Sequence, residues 1–263
     1  MVLIEQLRQL VRFHELLSML AWRDIRVRYK QTVMGFLWAM LMPSLIAGAG
    51  VIIRIAVAKN MGSTVTTADI ASIIVRAVAW SFFTSAIRFG TNSLMMNMNL
   101  VTKLAFPKEV FPFAAILSSL FDFAIASATA IGILLIIGWQ PGINVLWAVP
   151  LIMVLVALTA GLTLLLSAAN LFFRDVKYLV EVFLTYAIFF TPVFYEVAML
   201  GEWKNLALLN PVAPILESLF ASVVVNRPPD LAWMSYSVVV SVVFLVGGYW
   251  LFKQLEARFA ESI

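Results

Sequence analysis

Residues 22–43 read WRDIRVRYKQTVMGFLWAMLMP. Arg23, Arg26, Arg28 and Lys30 stand just ahead of an apolar run that carries Trp38 and continues past Pro43 to Ile53. A basic, partly amphipathic segment thus feeds directly into a membrane span. Short flanking segments rich in Lys and Arg stay in the cytoplasm, because cations are not readily translocated against the membrane potential. This places the N-terminus inside, and each later span alternates from there.

The bulk composition agrees with that reading. With 63% hydrophobic and 12% charged residues and a mean hydropathy of +0.99, the chain is far more apolar than a soluble domain. The 263 residues accommodate about six spans of roughly 20 residues with short loops, and leave no room for a soluble catalytic domain. The opening MVLIEQLRQLVRFHELLSMLAWRD has charges spread through it and no small-residue cleavage site, so it is expected to be retained. The absence of cysteine excludes disulfides, thiolate metal sites and lipidation at Cys.

Across residues 1–31, Leu3, Leu7, Leu10, Val11, Leu16, Leu17 and Leu20 recur at roughly helical spacing among charges. The pattern predicts an interfacial helix with one face toward lipid or a neighbouring helix and one toward water. Spans are expected at about 33–56, 70–90, 113–138, 145–171, 179–195 and 233–252. Arg54 and Lys59 lie at the outer end of the first, within reach of headgroups. Between the fifth and sixth, residues 196–232 are punctuated by NPVAP and NRPPD, and the apolar piece ILESLFASVVV is too short to span. It suits a helix dipping into, or lying on, the outer interface. The fold class is therefore all-α and polytopic, with both termini cytoplasmic.

Counting loop cations tests that orientation. Inside loops collect six from the N-terminal segment, then Lys103 and Lys108, Arg174 and Lys177, and Lys253 and Arg258; outside loops collect only Lys59, Lys204 and Arg227. The asymmetry accounts for the net charge of +4 without nucleic acid.

No enzymatic constellation emerges. The one histidine, His14, sits in the surface segment, and no GxxxxGK[ST] phosphate loop is present. Asp122 is the carboxylate deepest in a span. It reads either as a proton carrier or as a group hydrogen-bonded to another helix, with Ser118, Ser119 and Ser127 as nearby candidates. Arg76 interrupts the second span. Inserting it costs a few kcal/mol, so it calls for a watery path, an acidic partner or the nearer interface; path lining and outer-leaflet snorkelling are the two main readings.

The loop 97–112, NMNLVTKLAFPKEVFP, carries more information. It begins as a continuation of the second span and breaks at Phe106-Pro107. Pro107 disfavours helix at Phe106 and can start a new helix with Lys108 and Glu109 in its first turn. A helix, break, helix at the cytoplasmic face makes a compact knob. With Leu100, Leu104 and Phe106 beside Lys103 and Lys108, it is either a handle for a soluble partner's groove or a plain turn.

Four stretches in register, RDIRVRYKQTVMGFLWAMLMP, AWSFFTSAIRFGTNSLMMNMNLVTKLAFPKEVFP, NLFFRDVKYLVEVFLTYAIFFTPVFY and LNPVAPILE, resemble the membrane subunit of type-2 ABC exporters for cell-surface polysaccharides such as O-antigen, capsule or teichoic acid. The resemblance implies a homodimer of six-span subunits in the cytoplasmic membrane, driven by two separate ATPase subunits. ATP and Mg would bind those partners, and no cofactor this chain. It further implies that Asn99, Lys103, Phe106, Pro107, Lys108 and Glu109 form the coupling element. Trp22, Arg23, Asp24, Arg26, Arg28 and Tyr29 belong to an interfacial helix that also touches the ATPase. Arg174 and Asp175 match a cytoplasmic charge pair, which can equally anchor a helix end, and Thr191 to Pro214 resembles re-entrant outer helices. Arg76 departs from the small or apolar residue expected at its position.

A lipid-linked polysaccharide suits aromatic walls, since sugar faces stack on rings. Trp38, Trp80, Phe82, Phe83, Phe183, Tyr186, Phe189, Phe190 and Tyr195 are the path candidates; membrane-belt anchoring is the other reading of each. Three rivals stand beside this: an ABC exporter of drugs or small lipids, an ion-coupled carrier using Asp122 and Arg76, and a membrane-embedded transferase, for which clustered carboxylates are missing.

Overall fold

In a bilayer every backbone polar group must be bonded within its own segment, so long apolar runs become helices. The computed structural model describes residues 13–30, 34–60, 62–103 and 106–259. Helix α1 (His14–Lys30) is followed by α2 (Leu37–Asn60), α3 (Thr67–Met96), the short α4 (Met98–Lys103), α5 (Val110–Ile136), α6 (Ala148–Phe172) and α7 (Val176–Phe190). A 3-10 segment (Val197–Trp203), α8 (Lys204–Leu208), α9 (Val212–Val223) and α10 (Leu231–Glu256) complete the described chain. Among the described residues, α2, α3, α5, α6 with its 3-10 lead-in (Ile143–Phe172), and α10 are long and apolar enough to cross a membrane.

The helix ends have local causes. Helix α2 starts at Leu37 rather than near residue 33, after Gly35 at φ +46°, a conformation that favours glycine. Helix α3 begins at a capping box: Thr66 and Asp69 satisfy each other's backbone N–H groups. The expected fifth span takes another form. Helix α7 has 15 residues, about 22 Å at 1.5 Å per residue, against a hydrocarbon core of roughly 30 Å. Pro192 ends it by forcing Thr191 into extended backbone (φ −113°, ψ 137°), and the chain continues as turns through Tyr195.

Helix α3 is the hub, packing against α2, α5, α6, α7 and α9. Helices α6 and α10 meet backbone to backbone. A Cβ on Gly161 would lie 2.3 Å from the Phe244 carbonyl carbon, and one on Gly248 would lie 2.5 Å from the Gly161 carbonyl oxygen. Small residues at a crossing allow this approach, which is how membrane helices gain packing without a hydrophobic drive between them. Helix α9 is enclosed by its neighbours. Ala213, Ile215 and Leu216 are fully buried, and it is wedged against α3, α6 and α10.

Helix α1 packs along α5, burying Leu20, Ala21 and Ile25. Ser118 donates to the Ala21 carbonyl at 3.2 Å. Residues 1–12 of the expected interfacial helix lie outside the described residues. At the end of α2, Arg54 pairs with Asp69 of α3, with Nη2 2.8 Å from Oδ1.

Candidate functional site

A cavity of about 930 Å³ opens between α3, α6, α7 and the segment leading to α9. The helical period builds its walls. Trp80 and Phe83 come from one face of α3 and are nearly buried, with ring centroids 5.5 Å apart. Phe183, Tyr186, Phe189 and Phe190 come from α7, all highly exposed. Tyr195 follows the Pro192 break, and Leu158, Leu162 and Phe244 supply aliphatic and aromatic backing from α6 and α10. Seven of the nine aromatic path candidates therefore line one space. Trp38 and Phe82 do not: they border a separate cavity of about 340 Å³ on the opposite side of α3, together with Arg28, Arg88 and Asp122. Trp203 lines the large cavity and was not foreseen. The only sequence signal for it is an aromatic residue inside the outer re-entrant region.

Arg76 neither lines an open path nor snorkels. Its side chain is 1% exposed and bonds Glu217 at 2.9 Å. A second nitrogen donates to the Tyr195 carbonyl at 2.9 Å, and the guanidinium lies 4.4 Å from the Phe220 ring centroid. Glu217 in turn accepts the Val197 N–H at 2.7 Å. The acidic partner open to Arg76 in the sequence is thus Glu217 on α9, and together they bolt α3 to α9 behind the cavity.

Asp122 is likewise paired. It accepts hydrogen bonds from Arg28 and Tyr29 of α1. Ser119 bonds a carbonyl of its own helix instead, and Ser118 one of its own helix and that of Ala21 in α1. Burial, and then the bond to Asp122, push the Tyr29 phenol above its ordinary range. Arg28 also stacks over Phe89 at 3.9 Å. Elsewhere on α1, Arg23 bridges its neighbour Asp24 and the Asn97 side chain, both at 2.8 Å. Trp22 and Arg26 remain exposed and stack at 5.2 Å.

The helix after the second span breaks earlier than expected, at Asn97, whose amide donates to the Ser93 carbonyl and whose carbonyl oxygen takes Arg23. Such side-chain bonds compete with the helical ladder. Asn99 and Lys103 of α4 are exposed; Leu104 lies outside the described residues. Phe106 and Pro107 are half-buried. Lys108 and Glu109 form a turn ahead of α5, not its first turn. The Lys108 ammonium sits 4.7 Å from the Phe106 ring, and burial holds it below its ordinary range while Glu256 pulls the other way. Glu109 is not available to a soluble partner: it is fully buried and bound by Lys253 at 2.7 Å and by the Tyr249 hydroxyl at 3.3 Å. Arg174 and Asp175 are exposed just before α7, and Asp175 makes no side-chain cap.

Long apolar helices around an aromatic cavity, with a short buried helix behind it and a broken helical loop at one end, define a multi-pass membrane transport subunit. The chain belongs to the ABC-2 type transporter family, whose sequence profile matches residues 15–224. It is similar to the O-antigen export system permease protein RfbA of Myxococcus xanthus, 29% identical over 272 residues and covering 99% of this chain and all of that protein. Klebsiella pneumoniae has a protein of the same description, 27% identical over 251 residues and 95% of each chain.

Proposed function

We propose that this chain is the membrane half of an ATP-driven exporter of lipid-linked cell-surface polysaccharide, of the O-antigen type. Its near full-length similarity to two permeases described as O-antigen exporters carries the reading. In this reading two copies enclose the path, a separate ATP-binding subunit supplies ATP and Mg, and this chain holds no cofactor. The protein sits in the cytoplasmic membrane with both termini inside, in keeping with the cation asymmetry of its loops. The exposed Asn99 and Lys103 of α4 meet the ATP-binding subunit, and the exposed face of α1 at Trp22 and Arg26 adds to that contact.

An aromatic wall supports a glycan: rings stack on sugar faces without demanding one fixed hydrogen-bond pattern. The ion-coupled carrier is not favoured, because Asp122 and Arg76 are both engaged in ion pairs. Purification of the tagged chain in mild detergent tests the proposal. Stoichiometric co-purification of a P-loop ATPase, with loss of surface polysaccharide on deletion of the chain, is the expected result. Recovery of the chain alone with polysaccharide display intact overturns it. Lys103→Glu is expected to leave the protein in the membrane while polysaccharide display falls.

A further inference from the structure

The turn Pro107–Glu109 lies between α4 and α5, and the end of α10, over 140 residues further along the chain, holds both its side chain and its backbone. Lys253 Nζ sits 2.7 Å from Glu109 Oε2 and 2.9 Å from Glu256 Oε2. Glu256 Oε1 accepts the Lys108 N–H at 2.8 Å. Glu109 has no exposed surface, so this is an enclosed link in a low-dielectric setting, where such bonds are stiff and their loss is costly. From that end α10 runs to the backbone contact of Gly248 and Gly161 with α6. Phe244 of α10 and Leu158 and Leu162 of α6 then border the aromatic cavity.

We infer that Lys253 and Glu109 are positioning residues for transport. They fasten α10 to the cytoplasmic turn, so that a displacement of α4 moves α10 and α6 as one body and reshapes the cavity. Neither residue touches substrate or nucleotide. The inference rests on the proposed function, since it needs an ATP-binding subunit to displace α4. It assigns to the last span, in place of α5 alone, the task of carrying that displacement through the membrane.

The native chain has no cysteine, so Trp203→Cys at the cavity gives a single reactive thiol without further engineering. The full chain, reconstituted with its co-purified ATP-binding subunit, is labelled with a maleimide with and without ATP. ATP is expected to change the labelling rate at Trp203→Cys in the wild-type background and in Lys253→Arg, which keeps the charge. In Lys253→Met the subunit still co-purifies and hydrolyses ATP, while the ATP-dependent change falls about tenfold. Lys253→Met leaves Glu109 buried without its cation, so Glu109→Gln/Lys253→Met supplies a neutral pair that folds without that burden. It too is expected to lose the change. A normal ATP response in folded Lys253→Met, or its return in the neutral pair, overturns the inference alone. Absence of any ATP-binding subunit from the wild-type preparation overturns the proposed function and this inference with it.

Discussion

Arg76 shows what a charged residue in a span requires. Its guanidinium is sealed against Glu217, the Tyr195 carbonyl and the Phe220 ring, so it acts within the protein and not on a path. Removing one member of a fully buried pair strands the other, at about 3–5 kcal/mol, and the cost here is smaller because Glu217 keeps 23% of its side chain exposed. Arg76→Met is therefore expected to lower the thermal midpoint of the detergent-solubilised protein markedly, as read by fluorescence-detected size exclusion. Arg76→Met/Glu217→Gln should recover most of the loss, because a neutral pair leaves no bare charge. A double variant as unstable as the single would show that packing of the arginine, not its ion pair, holds α3 to α9. The need for a partner was legible from the sequence, since an arginine among IASIIV cannot face lipid cheaply. The partner's identity was not: Glu217 lies 141 residues away, and nothing local to either residue marks the pair. The same holds for Glu109, whose position after Pro107 and Lys108 suggested the first turn of a helix at the coupling element while its counter-ion waited in the last span.

Among the elements, the long helices were the most readable, because hydropathy alone selects them, and at Gly35, Thr66 and Asn97 a turn or a cap moved their ends. Helix α7 was overextended since FFTPVFY is apolar throughout, and Pro192 stops helix without interrupting hydropathy. The aromatic cavity was partly legible: rings on α3 and α7 at helical spacing converge, but which side of α3 each ring faces decides that Phe82 and Trp38 belong elsewhere. Contacts between helices are where substitutions will discriminate best. Gly161→Ala would push a methyl into the Phe244 backbone, so α6 and α10 must separate and the folded yield in detergent is expected to collapse. Gly48→Ala on α2 meets nothing within 4 Å and should be neutral or gain up to about 1 kcal/mol from helix propensity. At α1 the tether is chemical. Asp122→Asn takes the carboxylate from Arg28 and Tyr29 and is expected to speed proteolysis within α1 severalfold in the solubilised protein, leaving cleavage between α6 and α7 unchanged. Equal protection of α1 in wild type and variant would mean that its apolar contacts to α5 suffice.

For the whole molecule, the fold joins two ends that differ in chemistry. One end gathers α1, the Asn97 break, α4, the Pro107 turn and the last turn of α10, a region dense in Arg and Lys and rich in ion pairs. The other holds α9 and the short helical segments around Trp203, with Arg76 buried between them and α3 and paired with the partly exposed Glu217. A transporter needs that division, because energy arrives at one face and the substrate leaves at the other. In the proposed orientation the loop cations lie at the inner face, where the membrane potential holds them. Lys103, Arg174, Lys204 and Arg227 are all exposed, and since the chain has no cysteine of its own, each can carry a single introduced one. In intact cells, or in spheroplasts where an outer membrane bars the reagent, a membrane-impermeant maleimide is expected to label Lys204→Cys and Arg227→Cys. It should reach Lys103→Cys and Arg174→Cys only after permeabilisation. The converse pattern would invert the chain and put α4 outside, beyond the reach of any cytoplasmic ATP-binding subunit. A mixed pattern, with Arg174→Cys and Lys204→Cys labelled from the same side, would mean that α7 and the turns after it enter the membrane and return without crossing. With 15 residues in α7, a crossing there depends on the 191–195 turns completing the distance, so this pair of labels decides whether the chain has five crossings or six.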